Sequence, residues 1–160
     1  MIALNKLKLR KANALDLDIT YSWATNPKIR EYAFNQNEIS FKDHQNWFLN
    51  KINDATCFYF LLEESGNPLG SIRFDIKNKE AIISYLIDPK YHGNGLGVYI
   101  LEKGIAEFLT FKKNKELEII GFVLDSNIAS MKAFEKLNFD IKTLDKNSIE
   151  YSKKDFNENR

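Results

Sequence analysis

Tyr91-His92-Gly93-Asn94-Gly95-Leu96-Gly97 constrains the fold of this chain more than any other stretch. It follows the apolar run Ala81-Ile82-Ile83-Ser84-Tyr85-Leu86-Ile87-Asp88-Pro89 and precedes Val98 to Phe111, which reads as a helix. Glycines at alternate positions leave backbone N–H groups with no side chains over them. A glycine loop opening onto a helix N-terminus is an anion site, because unpaired N–H groups and the helix dipole both favour negative charge. An isolated loop of this kind is also an ordinary tight turn. Two familiar phosphate loops are excluded. A Walker loop needs Gly-Lys-Ser/Thr, but Gly97 is followed by Val98 and Tyr99, and the spacing Gly93, Gly95, Gly97 does not fit a dinucleotide fingerprint.

The rest of the chain sets the frame for that loop. At 160 residues, 44% apolar and 28% charged, it reads as one globular domain over 1–153 with a polar tail over 154–160. A net charge of +1 argues against a nucleic-acid binder, which should show a basic excess or stripe. Lys112-Lys113-Asn114-Lys115 reads instead as a solvated helix end. Cys57 is the only cysteine, so no internal disulfide and no cysteine-based zinc site is expected; it reads as a buried strand residue. Met1 to Lys6 has no long apolar core, and no run approaches the ~18 apolar residues of a membrane span, so the expectation is cytoplasmic.

Along the chain, Leu7 to Arg10 alternates as a short strand. A helix follows, with Leu15, Ile19, Ser22 and Trp23 at helical spacing and a stop near Asn26-Pro27. Lys28 to Ile39 is irregular. Ser40-Phe41-Lys42-Asp43 then resembles a capping box that opens a helix with Phe41, His44, Trp47, Phe48 and Ile52 on one face. Strands are expected at Cys57 to Glu63, Leu69 to Ile76 and Glu80 to Asp88, joined by Ser65-Gly66-Asn67-Pro68 and Lys77-Asn78-Lys79. After the glycine loop and its helix come a strand over Leu117 to Val123, a helix over Asn127 to Leu137, and a hairpin of Ile141 to Leu144 with Ser148 to Tyr151. A frayed tail is expected from Lys153. The order β-α-α-β-β-β-α-β-α-β-β is an α+β arrangement around one mixed sheet.

That order, with strand, glycine loop and helix at its centre, resembles the GNAT superfamily of acyl-CoA-dependent N-acyltransferases. The family pattern is Arg or Gln, two residues, Gly, one residue, then Gly or Ala, after a strand ending in Asp-Pro. Here it reads His92-Gly93-Asn94-Gly95-Leu96-Gly97, with His92 at the Arg/Gln place. A second family block reads Asn127-Ile128-Ala129-Ser130-Met131-Lys132-Ala133-Phe134-Glu135-Lys136-Leu137-Asn138-Phe139. The resemblance covers nearly the whole chain. It implies a mixed, mostly antiparallel sheet with a splayed central strand and about four helices, with acetyl-CoA as co-substrate and no metal. The loop from His92 through Val98 would hold the coenzyme A pyrophosphate. Tyr85 to Asp88, including Leu86 and Ile87, would pair through its backbone with the pantetheine arm. Asn127 would hydrogen-bond the cofactor from its helix start, with Ser130 and Phe134 on the same helix; Asn127 is equally a plain N-cap residue, and Phe134 packs against the cofactor or is simply core, the commoner fate of an aromatic at helical spacing.

In the N-terminal half, Trp23-Ala24-Thr25-Asn26-Pro27-Lys28-Ile29-Arg30, Glu38-Ile39-Ser40 and His44-Gln45-Asn46-Trp47-Phe48 are similar to the subgroup that acetylates amino groups of nucleotide-linked sugars. The pseudaminic-acid pathway acetyltransferases, which serve surface polysaccharide or flagellin glycosylation, are the nearest example. The partner is then a small-molecule amine, with a homodimer left open. Trp23, Arg30, Trp47 and Arg73 become candidate substrate contacts, the arginines facing substrate phosphate or standing as surface residues.

The implied reaction is direct attack of a primary amine on acetyl-CoA in a ternary complex, with the oxyanion meeting a backbone N–H near Ile87. Two departures matter. Many relatives carry a tyrosine where this chain has Phe134, so the thiolate needs its proton from water, Tyr99 or Tyr85. Many also carry a glutamate where this chain has Ile82, which leaves Ser84 and Tyr85 as a relay, or as ordinary strand residues. His44 is the other titratable candidate, or a structural histidine on an apolar helix face. Polyamine or protein N-terminal acetylation stands as an alternative, mildly disfavoured because Tyr21 to Trp47 offers only Glu31, Glu38 and Asp43. A non-catalytic acyl-CoA-binding module is the alternative of a different class.

Overall fold

The computed structural model describes residues 2–111 and 116–154. Seven strands, β1 (Leu7–Lys11), β2 (Cys57–Glu64), β3 (Asn67–Lys77), β4 (Glu80–Ile87), β5 (Glu118–Leu124), β6 (Asp140–Asp145) and β7 (Ser148–Lys153), form one sheet in the order β1-β2-β3-β4-β5-β7-β6. Neighbours are antiparallel except β4 and β5, which run parallel. Among the described residues, five α-helices accompany it: α1 (Leu17–Ala24), α2 (Pro27–Arg30), α3 (Phe41–Ile52), α4 (Leu96–Phe111) and α5 (Ile128–Lys136). This is the α+β architecture expected from the element order.

The continuous apolar run Cys57 to Leu62 is explained by burial on both faces. Phe60 and Leu62 join the large core that includes Ile100, Leu101 and Phe108 of α4 and Ala133 and Phe134 of α5. Tyr59 and Leu61 point the opposite way, as alternation requires, into a second core with Trp23 of α1 and Phe48 of α3.

The parallel pair opens at its end. β4 and β5 pair from Glu80/Glu118 to Ile83/Gly121 and no further, although β4 continues to Ile87 and β5 to Leu124. On its other side β4 stays paired with β3 as far as Ile87/Gly70. The Asp88 N–H reaches the Leu69 carbonyl on that β3 side at 2.8 Å. Backbone groups of successive strand residues face opposite edges, so the N–H and C=O of Tyr85 and Ile87 face the opening.

Several local expectations shift. Leu15 is not on a buried helix face: it lies in the 3-10 turn Ala14–Asp16 and is 92% exposed. Asp16 turns inward instead, because Arg10 grips both its oxygens at 2.8 Å and the Asn13 N–H donates to it at 2.9 Å. The buried positions there are Asp16, Thr20 and Trp23. α1 stops at Ala24, close to Asn26-Pro27 as expected, and Pro27 then starts the separate short helix α2, a position proline favours, with Asn26 capping Lys28 N–H. Ser40 caps α3 by accepting from Asp43 N–H, yet Phe41 and Trp47 stay partly exposed while His44 and Phe48 are buried. Asn67 and Pro68 belong to β3 rather than the turn, with the proline beside an irregularity at Leu62/Glu63. Lys153 is held in β7 opposite Ile119 and is not part of a tail. The expectations for Lys112 to Lys115 and for residues 155–160 lie outside the described residues.

Candidate active site

Where β4 ends, Asp88 organises the turn into the glycine loop. One carboxylate oxygen accepts from Lys90 N–H at 3.0 Å and the other from the Trp23 indole N–H at 2.8 Å. Asp88 is thereby a buried fastener between α1 and the loop. His92 Nε2 lies 2.8 Å from the Ile87 carbonyl. A carbonyl only accepts, so Nε2 carries a hydrogen. Asn94 closes the loop by donating to the Tyr91 carbonyl at 2.9 Å.

Gly93 and Gly95 sit at φ +83° and +72°, which only glycine adopts without strain, and α4 then begins at Leu96. Leu96 is buried and pins the helix start to the core. No acidic residue stands in the first turn. The leading N–H groups, including those of Gly97 and Val98, have no intrahelical partners, and nothing negative competes for them. Positive-φ glycines, a helix start and a first turn without acidic residues are the features an anion cradle requires.

Across the opening, α5 starts with Asn127 as its N-cap, whose Oδ1 accepts from Ser130 N–H at 3.2 Å. Ser130 Oγ in turn accepts the Tyr85 hydroxyl at 2.9 Å, and burial raises the Tyr85 pKa above its usual range. Phe134 is only 2% exposed, stacked on Tyr151 at 5.2 Å and packed against Phe139 and Tyr85. Its ring is core, and the group it leaves at the opening is the phenol of Tyr85.

On the opposite sheet face lies a cavity of about 150 Å³ lined by Thr20, Trp23, Ala24, His44, Trp47, Tyr59, Ser71, Arg73, Ser84, Tyr85 and Leu86. Six of the sequence candidates, Trp23, His44, Trp47, Arg73, Ser84 and Tyr85, converge here. Arg30 does not: its Nη2 donates at 2.6 Å to the carbonyls of both Asn35 and Asn37, bracing the loop ahead of α3. Thr20, Tyr59 and Ser71 are pocket residues that sequence reasoning missed. They carry no motif and meet only through packing between α1, β2 and β3.

Two networks set the electrostatics of this cavity. Thr20 Oγ1 lies 2.8 Å from the Asp16 carbonyl, 3.0 Å from the Leu17 carbonyl and 3.0 Å from His44 Nε2. Its one hydrogen serves a carbonyl, so His44 Nε2 is the donor to Thr20 and the lone pair resides on Nδ1. Burial lowers the His44 pKa, keeping the ring neutral. The second network is ionic. Arg73 Nε meets Asp75 at 2.7 Å, Lys51 meets the other Asp75 oxygen at 2.7 Å, and Arg73 Nη2 donates to Ser84 Oγ at 3.2 Å. The guanidinium lies 4.8 Å from the Trp47 ring and 5.8 Å from the Tyr59 ring. Burial alone raises the Asp75 pKa, but Arg73 and Lys51 overcome it and hold the carboxylate ionised. Ser84, accepting from a cation, is oriented as a donor and is a poor base. Cys57, half-buried in β2, has its thiol pushed up to about 12 by burial and is inert.

Among the described residues, no group of three or more His, Cys, Asp or Glu could hold a metal ion, and no helix is long and apolar enough to cross a membrane.

Comparison with known proteins agrees with this geometry. A family model described as acetyltransferase (GNAT) domain matches residues 6–140. An uncharacterized protein of Methanocaldococcus jannaschii is 26% identical over 144 residues, 84% of this chain; the chain spans 28% of that relative's length. The spermidine N-acetyltransferase of Vibrio cholerae, solved with CoA and spermine, superposes with a TM-score of 0.78 at 19% identity, covering 92% of this chain and 94% of that one. The N-acetyltransferase PseH of Campylobacter jejuni superposes at 0.67 with 22% identity, covering 93% and 98%. Likeness at these identities shows the shared fold.

Proposed function

The chain belongs to the GNAT acetyltransferase family, and from that premise we propose that it transfers an acetyl group from acetyl-CoA to a primary amine on a nucleotide-linked amino sugar. The observation that carries the acceptor class is the pocket lining: it contains Arg73 and not one carboxylate. A polycationic amine needs negative charge around it, whereas a sugar ring needs aromatic faces and hydroxyl partners. Trp23, Trp47 and Tyr59 supply the faces, and Thr20, Ser71 and Ser84 supply the hydroxyls. Trp47 and Phe41, 37% and 42% exposed, leave aromatic surface for the nucleotide to lie against.

On this reading the pyrophosphate of acetyl-CoA lies against the glycine loop and the start of α4, and the pantetheine arm pairs with the open edge of β4. Asn127 offers its amide to the arm. The amine nitrogen attacks the thioester carbonyl, and the Ile87 N–H, which faces the opening, receives the developing oxyanion. Tyr85 passes a proton through Ser130 to the departing thiolate, the task for which Phe134 has no hydrogen.

The test measures CoA thiol release from acetyl-CoA with a UDP-linked amino-deoxyhexose, spermidine and a lysine peptide in parallel. Turnover with the sugar nucleotide alone is the expected result. Faster turnover with spermidine or the peptide overturns the acceptor class, and acetyl-CoA binding without turnover on any amine overturns the enzyme.

A further inference from the structure

Arg73 occupies an unusual place for a guanidinium. It sits on β3 opposite Ser84, at the end of the paired region where β4 leaves β5, and its donors reach into the cavity wall. Asp75 lies opposite Ile82, two positions further from the opening. The carboxylate is therefore behind the guanidinium, and the positive end of the pair is the end that faces the pocket. Lys51 grips the same carboxylate from α3, so the trio Lys51, Asp75 and Arg73 carries one net positive charge.

No carboxylate lines the pocket beside that charge; Asp54, which feels both Lys51 and Asp75, lies outside the lining. From α1, Thr20 and Trp23 are neutral, and Asp16 behind them shares Arg10 with Glu63 of β2, outside the pocket lining. From α3, His44 is neutral. From β2, Tyr59 and Cys57 stay protonated because burial raises both. From β4, Tyr85 stays protonated for the same reason, and the Asp88 carboxylate beyond it is turned to the Trp23 indole and the Lys90 N–H and does not line the pocket.

We infer that Arg73 activates the acceptor by repulsion: a cation fixed in the pocket wall disfavours the ammonium form, so the amine is held there neutral and nucleophilic without a carboxylate base. A neighbouring like charge and partial desolvation both lower the pKa of an amine. The step balances without a co-reactant. The nitrogen lone pair forms the N–C bond, the C–S bond breaks, the nitrogen gives up one hydrogen to pocket solvent, the sulfur gains one from Ser130, Tyr85 refills Ser130, and solvent returns the released proton to Tyr85. The inference rests on the acetyl-transfer reading but not on the identity of the sugar.

The test follows kcat against pH, because kcat reports groups in the bound complex. Wild type, Arg73→Gln and Arg73→Lys are each assayed with the UDP-linked amino-deoxyhexose and, separately, with glycinamide as a small amine lacking phosphate. Arg73→Gln is expected to move the acid limb of kcat upward by about one pH unit, a roughly tenfold loss at the foot of the limb, with recovery at alkaline pH. Arg73→Lys keeps the cation and is expected to keep the wild-type limb. An unmoved limb in Arg73→Gln, with equal loss at every pH, overturns the inference and leaves Arg73 a packing or binding residue. A silent sugar nucleotide with active glycinamide and a moving limb overturns the acceptor class alone. Silence with both amines overturns both.

Discussion

The hydroxyl of Tyr85 donates to Ser130 Oγ at 2.9 Å, and a serine oxygen that accepts still has its own hydrogen to give. The two hydroxyls are thus arranged in series toward the opening between β4 and α5. Removing either end of such a donor chain should lower kcat by about a hundredfold, the lower range for a positioned acid, while leaving acetyl-CoA affinity unchanged. Tyr85→Phe and Ser130→Ala, measured by steady-state kinetics and by isothermal titration with CoA, are the variants to compare; an unaltered kcat in both assigns the proton to water. Ser130 was legible as part of a motif and Tyr85 as part of a strand. Their contact was not, because the residues are 45 positions apart and meet only once the sheet has formed. Phe134 was legible as a cofactor contact or as core, the commoner fate of an aromatic at helical spacing, and Gly121 opposite it, having no side chain, leaves room for the ring in the core.

At the scale of elements, the strand–loop–helix unit was readable because its physics is local. Glycines that must take positive φ, a proline after the strand and an apolar helix behind them are all adjacent in sequence. Gly95 tests this most directly. Its φ of +72° costs a residue with a Cβ about 1–2 kcal/mol, and no atom lies within 4 Å of an added Cβ, so the penalty is conformational and not steric. Gly95→Ala is expected to weaken CoA binding about tenfold by tilting the N–H groups of the loop, with kcat at saturating acetyl-CoA changed far less. Equal CoA affinity for the two proteins, by calorimetry, means the loop does not hold the pyrophosphate. α1 and α2 were less legible for a different reason. The burial of Asp16 is decided by Arg10 on β1, and the apolar spacing that includes Leu15 gives no hint of it. Arg30 was misplaced in the same way: its partners are backbone carbonyls of the next loop, which no side-chain pattern announces.

At the scale of the whole molecule, element order and alternation carried the α+β architecture, whereas the acceptor pocket exists only where α1, α3, β2, β3 and β4 come together. The same buried groups that shape the pocket and its supports fix the pH range of stability. Burial holds the folded His44 below the ordinary histidine value of 6.5, so the unfolded chain takes up a proton first and stability falls as pH drops below about 6.5. Asp16 beside Arg10, and Asp75 between Arg73 and Lys51, titrate below the ordinary carboxyl value of 3.8, so their contribution is present above about pH 4 and is lost as pH falls through their folded values. Burial pushes the Cys57 thiol from its ordinary 9.0 up to about 12, so stability falls again as pH rises above about 9. Denaturant midpoints measured from pH 3 to 10 should therefore show a plateau between about pH 6.5 and 9, a shallow acid-side decline, and a steeper one below about pH 4. His44→Gln should remove the shallow decline and leave the steep one. If instead the wild-type midpoint stays level from pH 7 to pH 5, the imidazole accepts a proton in the folded pocket as readily as in the unfolded chain, and below about pH 6.5 His44 becomes a second cation beside Arg73.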